Sequence, residues 1–349
     1  MKSYEKEILQ HELDEEMKVL RKLAKLYKQS IKDIEENIVI TDGKIKVFLT
    51  DVGNLSDEKL SELQSKVYQQ KFQKELKKQL EVYLKALQEN QYKTIQEYLN
   101  DCYNNGFIGV MYSLHKEGIP IILPIDQDAV LKAIEHDTNL SEKLYTKLGK
   151  DIEVLKKDIA GTISRGISLS NSYSIMAVQL DGYSKIGLNK AMRIVRTEGA
   201  RITNTAAFDA MNRVRDEFGV DVKKKWLAAL DARTRETHAK LDGEIREINE
   251  PFSNGMMHPL DPKGKAEEVI NCRCRLSQQS KWALEEEATQ YLGRTEDMTD
   301  EQLKPIADKA GITVTELRKY SRSIIPVKAK NQADFRRQYE KIMNYEMVE

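Results

Sequence analysis

The segment that decides the architecture begins with WLAALDARTRETHAKLDG over residues 226–243 and ends with NCRC over residues 271–274. Turn-forming dipeptides crowd the sequence between these two motifs, and Asn254-Gly255 and His258-Pro259 are examples. Glycine, asparagine and proline favour turns because they adopt or enforce backbone angles that helices and strands exclude. The segment therefore predicts a small, turn-rich unit.

Local patterns assign elements within this unit. The apolar runs Lys225–Ala228 and Val269-Ile270 are short enough for strands, and Asp231–Leu241 has a composition that suits a helix. Short strands together with one helix predict a small α+β domain.

The sequence on either side of this domain predicts helices. Only 17 glycines and 7 prolines occur in 349 residues, and 32% of the residues are charged, which favours helices with exposed polar faces. The predicted fold class is mainly α. We expect a helical region over residues 1–165, a long helix plus the α+β domain over 166–280, and a helical, partly basic tail over 281–349.

The N-terminal region begins with apolar side chains spaced alternately by four and three residues, which places them on one stripe of a helix. The stripe suits packing within the chain, and a separate oligomerisation helix is the alternative. Thr41-Asp42-Gly43 is predicted to end this helix, and Ile45–Leu49 to form a brief strand or crossover. The stripe consists of Leu13, Met17, Leu20, Ala24, Tyr27, Ile31, Ile34 and Ile38.

Further helices are predicted along the chain. Residues 57–89 and 94–114 are expected to form two separate helices, and Asp181-Gly182 a turn. A long helix follows over residues 185–218, and Gly219 suits the position just after its end.

Charge and cysteine content limit the partners and the compartment. Basic and acidic residues number 56 each, so the formal net charge is zero, and the chain lacks the overall basic character of many nucleic-acid-binding proteins. Three cysteines do not suit the disulfide framework of a secreted protein. Because no apolar signal segment or transmembrane stretch is evident, we expect a protein of the reducing cytoplasm without membrane contact.

Basic residues concentrate near the C-terminus. The segment from Arg318 to Lys341 contains eight lysines or arginines and two acidic residues. A solvated, loosely ordered tail and a tract that contacts DNA phosphates are the two alternatives, and the first is favoured. The predicted contact residues are Arg318, Lys319, Arg322, Lys328, Lys330, Arg336 and Arg337.

Two histidines and two cysteines of the turn-rich segment could form a metal site. Cysteines two apart in an extended segment project from the same face, so two thiolates and two imidazoles could complete a tetrahedral zinc site. Arg273 and Arg275 flank the thiols and would stabilise thiolates. A reduced structural cysteine pair and a redox pair are the alternatives. The candidate ligands are His238, His258, Cys272 and Cys274.

The usual fingerprints of catalysis are missing, since no phosphate-binding glycine loop, dinucleotide-binding motif or Gly-x-Ser-x-Gly elbow occurs. One enzymatic interpretation rests on His238. On a helix, Asp231, Arg235 and Asp242 would share its face at spacings of four, three and four, a set that suits acid–base chemistry on a nucleic acid or nucleotide. The alternative is an ion-paired helix face.

The order of the motifs is distinctive. An Arg-Thr-Glu triplet at residues 196–198 precedes the 226–243 motif, Pro251-Phe252, His258-Pro259 and the 271–274 motif. In this order they resemble the domain of phage minor head proteins related to the Mu F protein, the head morphogenesis family, over about residues 185–280. The matching residues are Arg196, Glu198, Trp226, Asp231, Arg235, Asp242, Gly243 and Arg273.

The resemblance implies a minor virion protein that is made in the host cytoplasm and lies inside the capsid near the portal. It would act in head assembly, DNA packaging or ejection, with portal protein, capsid or scaffold subunits and phage DNA as partners. The resemblance implies no catalytic activity. In some bacterial proteins the domain is joined to toxin domains. This chain ends soon after its basic tail, so we expect no such extension.

Overall fold

The structure is a computed structural model that describes residues 2–50, 57–135, 144–168, 173–229, 233–281 and 298–346. The chain divides into two compact units. Unit 1 comprises Met1–Glu16, Tyr98–Leu140 and Arg196–Glu349, and unit 2 comprises Met17–Glu97 and Ser141–Val195. Long helices run from one unit into the other, so neither unit is one continuous stretch of sequence.

The described part of the chain is mainly helical, which confirms the predicted fold class. No described helix is both long and apolar enough to cross a membrane. The N-terminal helices are α1 (Ser3–Thr50), α2 (Asp57–Lys116), α3 (Gln127–Glu135), α4 (Leu144–Ser168) and α5 (Tyr173–Phe218).

Helix α1 is longer than the sequence predicts. It continues through Thr41-Asp42-Gly43 and Ile45–Leu49, so both the predicted break and the predicted strand are wrong. One helical glycine costs only about 1 kcal/mol relative to alanine, and a long helix can absorb this cost. In the predicted stripe, Leu20, Tyr27, Ile31, Ile34 and Ile38 are buried and Ala24 is half-buried, whereas Leu13 and Met17 are exposed.

Helix α2 replaces the two predicted helices, and α5 continues through the predicted turn at Asp181-Gly182. Gly106 of α2 has a packing role. A Cβ atom added there would lie 2.2 Å from the backbone oxygen of Thr203, so the glycine allows close contact between α2 and α5. At the end of α5, Gly219 adopts a φ of 62° as expected.

The α+β domain follows α5. Its elements are β1 (Asp221–Leu227), α6 (Glu236–Lys240), β2 (Ile245–Glu247), α7 (Ala266–Val269) and β3 (Arg275–Lys281). The described strands form an antiparallel sheet in the order β2-β1-β3, with Trp226 paired to Leu276. The predicted strand at Val269-Ile270 is wrong, because these residues end α7, and α6 is shorter than the predicted Asp231–Leu241 helix.

The C-terminal part contains α8 (Asp300–Ala310), α9 (Val314–Ser323) and α10 (Gln332–Glu346). Reciprocal side-chain caps begin α8 at Thr299 and α9 at Thr313. In α10, Phe335 is buried and contacts the rings of Tyr112 and His115. Residues 298–346 are therefore folded helices packed into unit 1, and the loosely ordered alternative is wrong for them.

Candidate functional site

A histidine and two cysteines of the α+β domain lie close together. His238 lies on α6, and Cys272 and Cys274 lie in the segment just before β3. Asn271 turns the chain at this point with a φ of 57°, and its N–H donates to Thr197 Oγ1 on α5 at 3.1 Å. The Arg-Thr-Glu triplet thus fixes the start of the cysteine segment.

The ligand atoms of the three side chains converge. His238 Nδ1 lies 3.4 Å from Cys272 Sγ and 3.4 Å from Cys274 Sγ. The three atoms all lie within 4.8 Å of one another. Among the described residues, this is the group of side chains with the arrangement of a metal site.

Glu268 of α7 orients the imidazole. Its Oε2 lies 2.6 Å from His238 Nε2 and also accepts from Thr237 Oγ1 at 3.2 Å. A carboxylate on Nε2 favours the tautomer with the proton on that nitrogen, which leaves the Nδ1 lone pair facing the two sulfur atoms. Sequence analysis missed Glu268 because its role depends on the fold and not on spacing.

The two thiols differ in acidity. Hydrogen bonding from Cys274 is the largest cause that lowers the pKa of Cys272, and with the contribution of His238 it brings this pKa to about 5. The pKa of Cys274 is raised by its neighbour Cys272 and by burial. Burial lowers the pKa of His238, but Cys272 and Glu268 outweigh it and raise the pKa. Neither flanking arginine is among the main causes for Cys272.

Arg275 instead forms a buried ion pair with Glu12 of α1. Its charge is thus paired with a carboxylate of another element, and the predicted stabilisation of the thiolates by Arg275 stays a prediction.

The site is closed to large molecules. His238, Cys272 and Cys274 are each 2% exposed. Trp226 is fully buried and meets the His238 ring edge-on, with centroids 5.5 Å apart. A catalytic cysteine or histidine must reach its substrate, so this burial favours a structural or metal-binding role over an enzymatic one.

The structure separates His258 from the other three candidate ligands. Its Nδ1 donates to the Pro259 carbonyl at 3.0 Å, and its ring packs against Phe208. Burial lowers its pKa. The four-ligand arrangement expected from the sequence is therefore not formed, because the turn at His258-Pro259 points this imidazole into a separate part of the core.

Among the described residues of the predicted acid–base set, Arg235 and Asp242 do not share a helix face with His238. Asp231 lies outside the described residues, and Arg235 stands in extended conformation at the start of α6. Arg235 donates to the Ile270 carbonyl at 2.6 Å, and Asp242 accepts the N–H of Ala228 at 2.9 Å. Gly243 has a φ of 80° and donates to the Trp226 carbonyl. These motif residues connect backbone segments to one another.

The residues of the triplet also have structural roles. Arg196 pairs with Glu16 at 3.2 Å, and Glu198 pairs with the buried Arg201 at 2.8 Å on the same helix. Arg273, the last of the matching residues, also interacts with other groups of the protein.

Two residues that sequence analysis missed complete the domain. Asn204 of α5 bonds to the backbone at Cys274 and Leu276, and Lys224 of β1 is fully buried. Lys224 Nζ donates to the Met257 carbonyl at 2.8 Å and lies over the rings of Phe208 and Phe252. For Asn204, the signal available in the sequence is an asparagine inside a predicted long helix, since asparagine is a poor helix former.

Ion pairs neutralise much of the basic tract. The described partners are Asp300 for Arg318, Glu217 for Lys319, Glu340 for Arg336 and Asp334 for Arg337. Arg322, Lys328 and Lys330 are exposed and form no ion pair with another described residue.

These features define a helical protein with a small α+β domain in which Arg235, Asp242 and Gly243 support the backbone. Residues 153–277 match the family described as Phage Mu protein F like protein. Through this domain the chain is similar to phage minor head proteins. The match begins upstream of the range expected from the motifs and confirms the resemblance.

Curated relatives are similar to about half of the chain. This chain is 29% identical over 186 residues to NAD(+)–arginine ADP-ribosyltransferase EFV of Enterococcus faecalis. The aligned region covers 52% of this chain and 38% of that protein. The chain is 28% identical over 189 residues to minor head protein GP7 of Bacillus phage SPP1, which covers 52% of this chain and 58% of that protein. The chain thus spans less than two thirds of either relative.

A third relative is an uncharacterized protein of Haemophilus influenzae, 27% identical over 157 residues, which covers 43% of this chain and 32% of that protein. No solved structure matches the chain.

Proposed function

We propose that this chain is a non-enzymatic minor component of a tailed-phage head. It lies inside the capsid near the portal and acts in head assembly, DNA packaging or DNA ejection. Its partners are the portal protein and capsid or scaffold subunits. The observation that carries the proposal is the structural use of the family's motif residues, since Arg235, Asp242 and Gly243 bond to the backbone of other segments and Arg196 and Glu198 form ion pairs.

The similarity to minor head protein GP7 of phage SPP1 supports the same proposal. The name of the Enterococcus faecalis relative states an ADP-ribosyltransferase activity, and this chain covers 38% of the length of that protein. His238 is the residue on which an enzyme would depend, and it is buried between two thiols and Glu268. The nucleic-acid-processing alternative therefore lacks an accessible histidine at the position on which it depends.

DNA contact is a further part of the proposal, and we restrict it to Arg322, Lys328 and Lys330. These three side chains are exposed and have no carboxylate partner among the described residues, whereas the four others are paired. A local basic patch suits a protein of zero net charge, because it binds phosphates without general attraction to nucleic acid.

Co-expression with the portal protein of the same phage tests the main proposal. We expect the full-length chain to co-purify with assembled portal rings and to be found in procapsids. The triple variant Arg322→Gln, Lys328→Gln, Lys330→Gln should keep portal binding, because it changes only the proposed DNA patch. A chain that associates with neither portal rings nor procapsids would contradict the proposal.

The same triple variant tests DNA binding. In a plot of the logarithm of DNA affinity against the logarithm of salt concentration, each basic side chain that binds a phosphate adds about one unit to the slope. Removal of such a side chain should therefore make the slope less steep by about one unit. A control with Arg318→Gln and Arg337→Gln removes charges that are already paired, so it should change DNA affinity less. Equal affinity of the triple variant and the unchanged chain would remove DNA binding from the proposal.

A further inference from the structure

Distances in the thiol–imidazole cluster agree with those of a zinc site. A tetrahedral zinc ion with ordinary bond lengths separates a nitrogen and a sulfur ligand by about 3.6 Å and two sulfur ligands by about 3.8 Å. His238 Nδ1 lies 3.4 Å from each sulfur, and the three atoms all lie within 4.8 Å of one another. A small movement of side chains would therefore bring all three to bonding distance of one ion.

Hydrogen bonding alone satisfies this cluster poorly. Both sulfur atoms approach the same nitrogen, Nδ1 of His238. That nitrogen carries either one proton or one lone pair, which the two sulfur atoms must share, and Cys274 also bonds to Cys272. A cation on the shared side of the three atoms would satisfy both pairs, because two thiolates and a neutral imidazole then all donate lone pairs.

The surroundings of His238 match those of a metal ligand. Histidines that bind a metal through one nitrogen usually donate the other N–H to a carboxylate, which fixes the ring and raises its basicity. Glu268 provides this carboxylate 2.6 Å from Nε2. Its side chain is 27% exposed, so it is positioned at the edge of the buried cluster and not among the candidate ligands.

We propose that His238 Nδ1, Cys272 Sγ and Cys274 Sγ bind a zinc ion, with Glu268 as the positioning residue for the imidazole. Water occupies the fourth tetrahedral position. Two thiolates select a thiophilic cation such as zinc over magnesium or calcium. The ion would join α6 to the segment before β3, two parts of a domain that otherwise depends on turns. Its role is therefore structural, and it does not depend on the proposed place of the chain in the phage head.

Metal analysis of the full-length chain tests this proposal. The protein is purified under reducing conditions, without a histidine tag or a chelator, and zinc is measured by mass spectrometry. We expect one zinc ion per chain, and loss of zinc in Cys272→Ser and in Cys274→Ser. Cys102→Ser is the matched control, because Cys102 is buried elsewhere in α2 and should leave the zinc content unchanged.

His258→Asn separates the three-ligand site from the four-ligand arrangement suggested by the sequence. An asparagine amide can replace the bond from Nδ1 to the Pro259 carbonyl, so we expect full zinc content in this variant. Glu268→Gln should weaken zinc binding about 10- to 100-fold in competition with a chelator, with an unchanged circular dichroism spectrum.

Cobalt provides a measurement that needs no variant to fold. Addition of Co²⁺ to the reduced, metal-free chain should produce thiolate-to-metal charge-transfer absorption with the intensity of two thiolates. The proposal is overturned if the purified chain holds no zinc and Co²⁺ produces no such absorption. It is also overturned if Cys272→Ser and Cys274→Ser both retain zinc.

Discussion

The side-chain oxygen of Asn204, in the middle of α5, accepts the backbone N–H of Leu276 at the start of β3 over 2.7 Å. The amide nitrogen of the same side chain donates to the carbonyl of Cys274 at 3.2 Å. One buried asparagine thus occupies the position of a neighbouring strand and ties the cysteine segment to the long helix.

Replacement of this asparagine should therefore be costly. Asn204→Leu would leave the buried N–H of Leu276 without this partner, at about 1–3 kcal/mol, while the Cys274 carbonyl keeps a bond from Arg275. We expect the free energy of unfolding in urea to fall by about 1–3 kcal/mol. Asn212→Leu is the control, because Asn212 bonds only to the preceding turn of its own helix. Equal decreases in both variants would contradict the role of Asn204.

The buried pair between Glu12 and Arg275 predicts a strong coupling between α1 and β3. Both side chains are largely buried, at 7% and 15% exposure, so removal of one partner leaves a desolvated charge. We expect Arg275→Met to destabilise the protein by about 3–5 kcal/mol. The double variant with Glu12→Leu should be destabilised by less than the sum of the two single variants.

An exposed pair supplies the comparison for that cycle. Lys32 and Glu36 lie one turn apart on α1 with side chains 63% and 58% exposed, and their coupling should be below about 1 kcal/mol. Couplings of similar size in the two cycles would show that burial of the Glu12–Arg275 pair has no energetic consequence.

Lys224 predicts a gain of stability at alkaline pH. Burial lowers its pKa in the folded protein from 10.5 to about 8, so between these values the unfolded chain binds the proton and the folded chain does not. The free energy of unfolding therefore rises with pH in this window, by up to about 3 kcal/mol. Lys224→Met should remove this rise in urea unfolding measured from pH 8 to pH 10.

Lys223, on the same strand, provides a control of opposite sign. The carboxylate of Glu247 raises the pKa of Lys223, so its contribution to stability decreases as pH rises. Lys223→Met should therefore preserve the alkaline gain. If the gain survives in Lys224→Met, another group causes it.

Gly106 predicts the opposite effect from an ordinary helical glycine. Gly106→Ala places a methyl group against the backbone of Thr203, and we expect a decrease of about 1–3 kcal/mol in the free energy of unfolding. Gly182→Ala meets no atom within 4 Å and should raise stability by up to about 1 kcal/mol. Thermal unfolding of the two variants should therefore shift in opposite directions, and a shared direction would contradict the packing role.

The sequence predicted the helical class, the α+β domain and three of the four clustered residues, because these depend on local pattern and spacing. It misplaced helix ends at Thr41-Asp42-Gly43 and Asp181-Gly182, where long helices continue through local breakers. It also grouped His258 with the cysteines. The direction of that imidazole, the carboxylate of Glu268 and the strand-like role of Asn204 depend on tertiary contacts, which spacing along the chain does not encode.

Quantification of this chain in assembled heads tests the central proposal most directly. Mass spectrometry of purified procapsids, formed with and without the portal protein, gives its copy number relative to the major capsid subunit. We expect a few copies per procapsid when the portal is present and a marked decrease when it is absent. Procapsids that form normally with the portal but contain no trace of the chain would contradict its assignment as a minor head component.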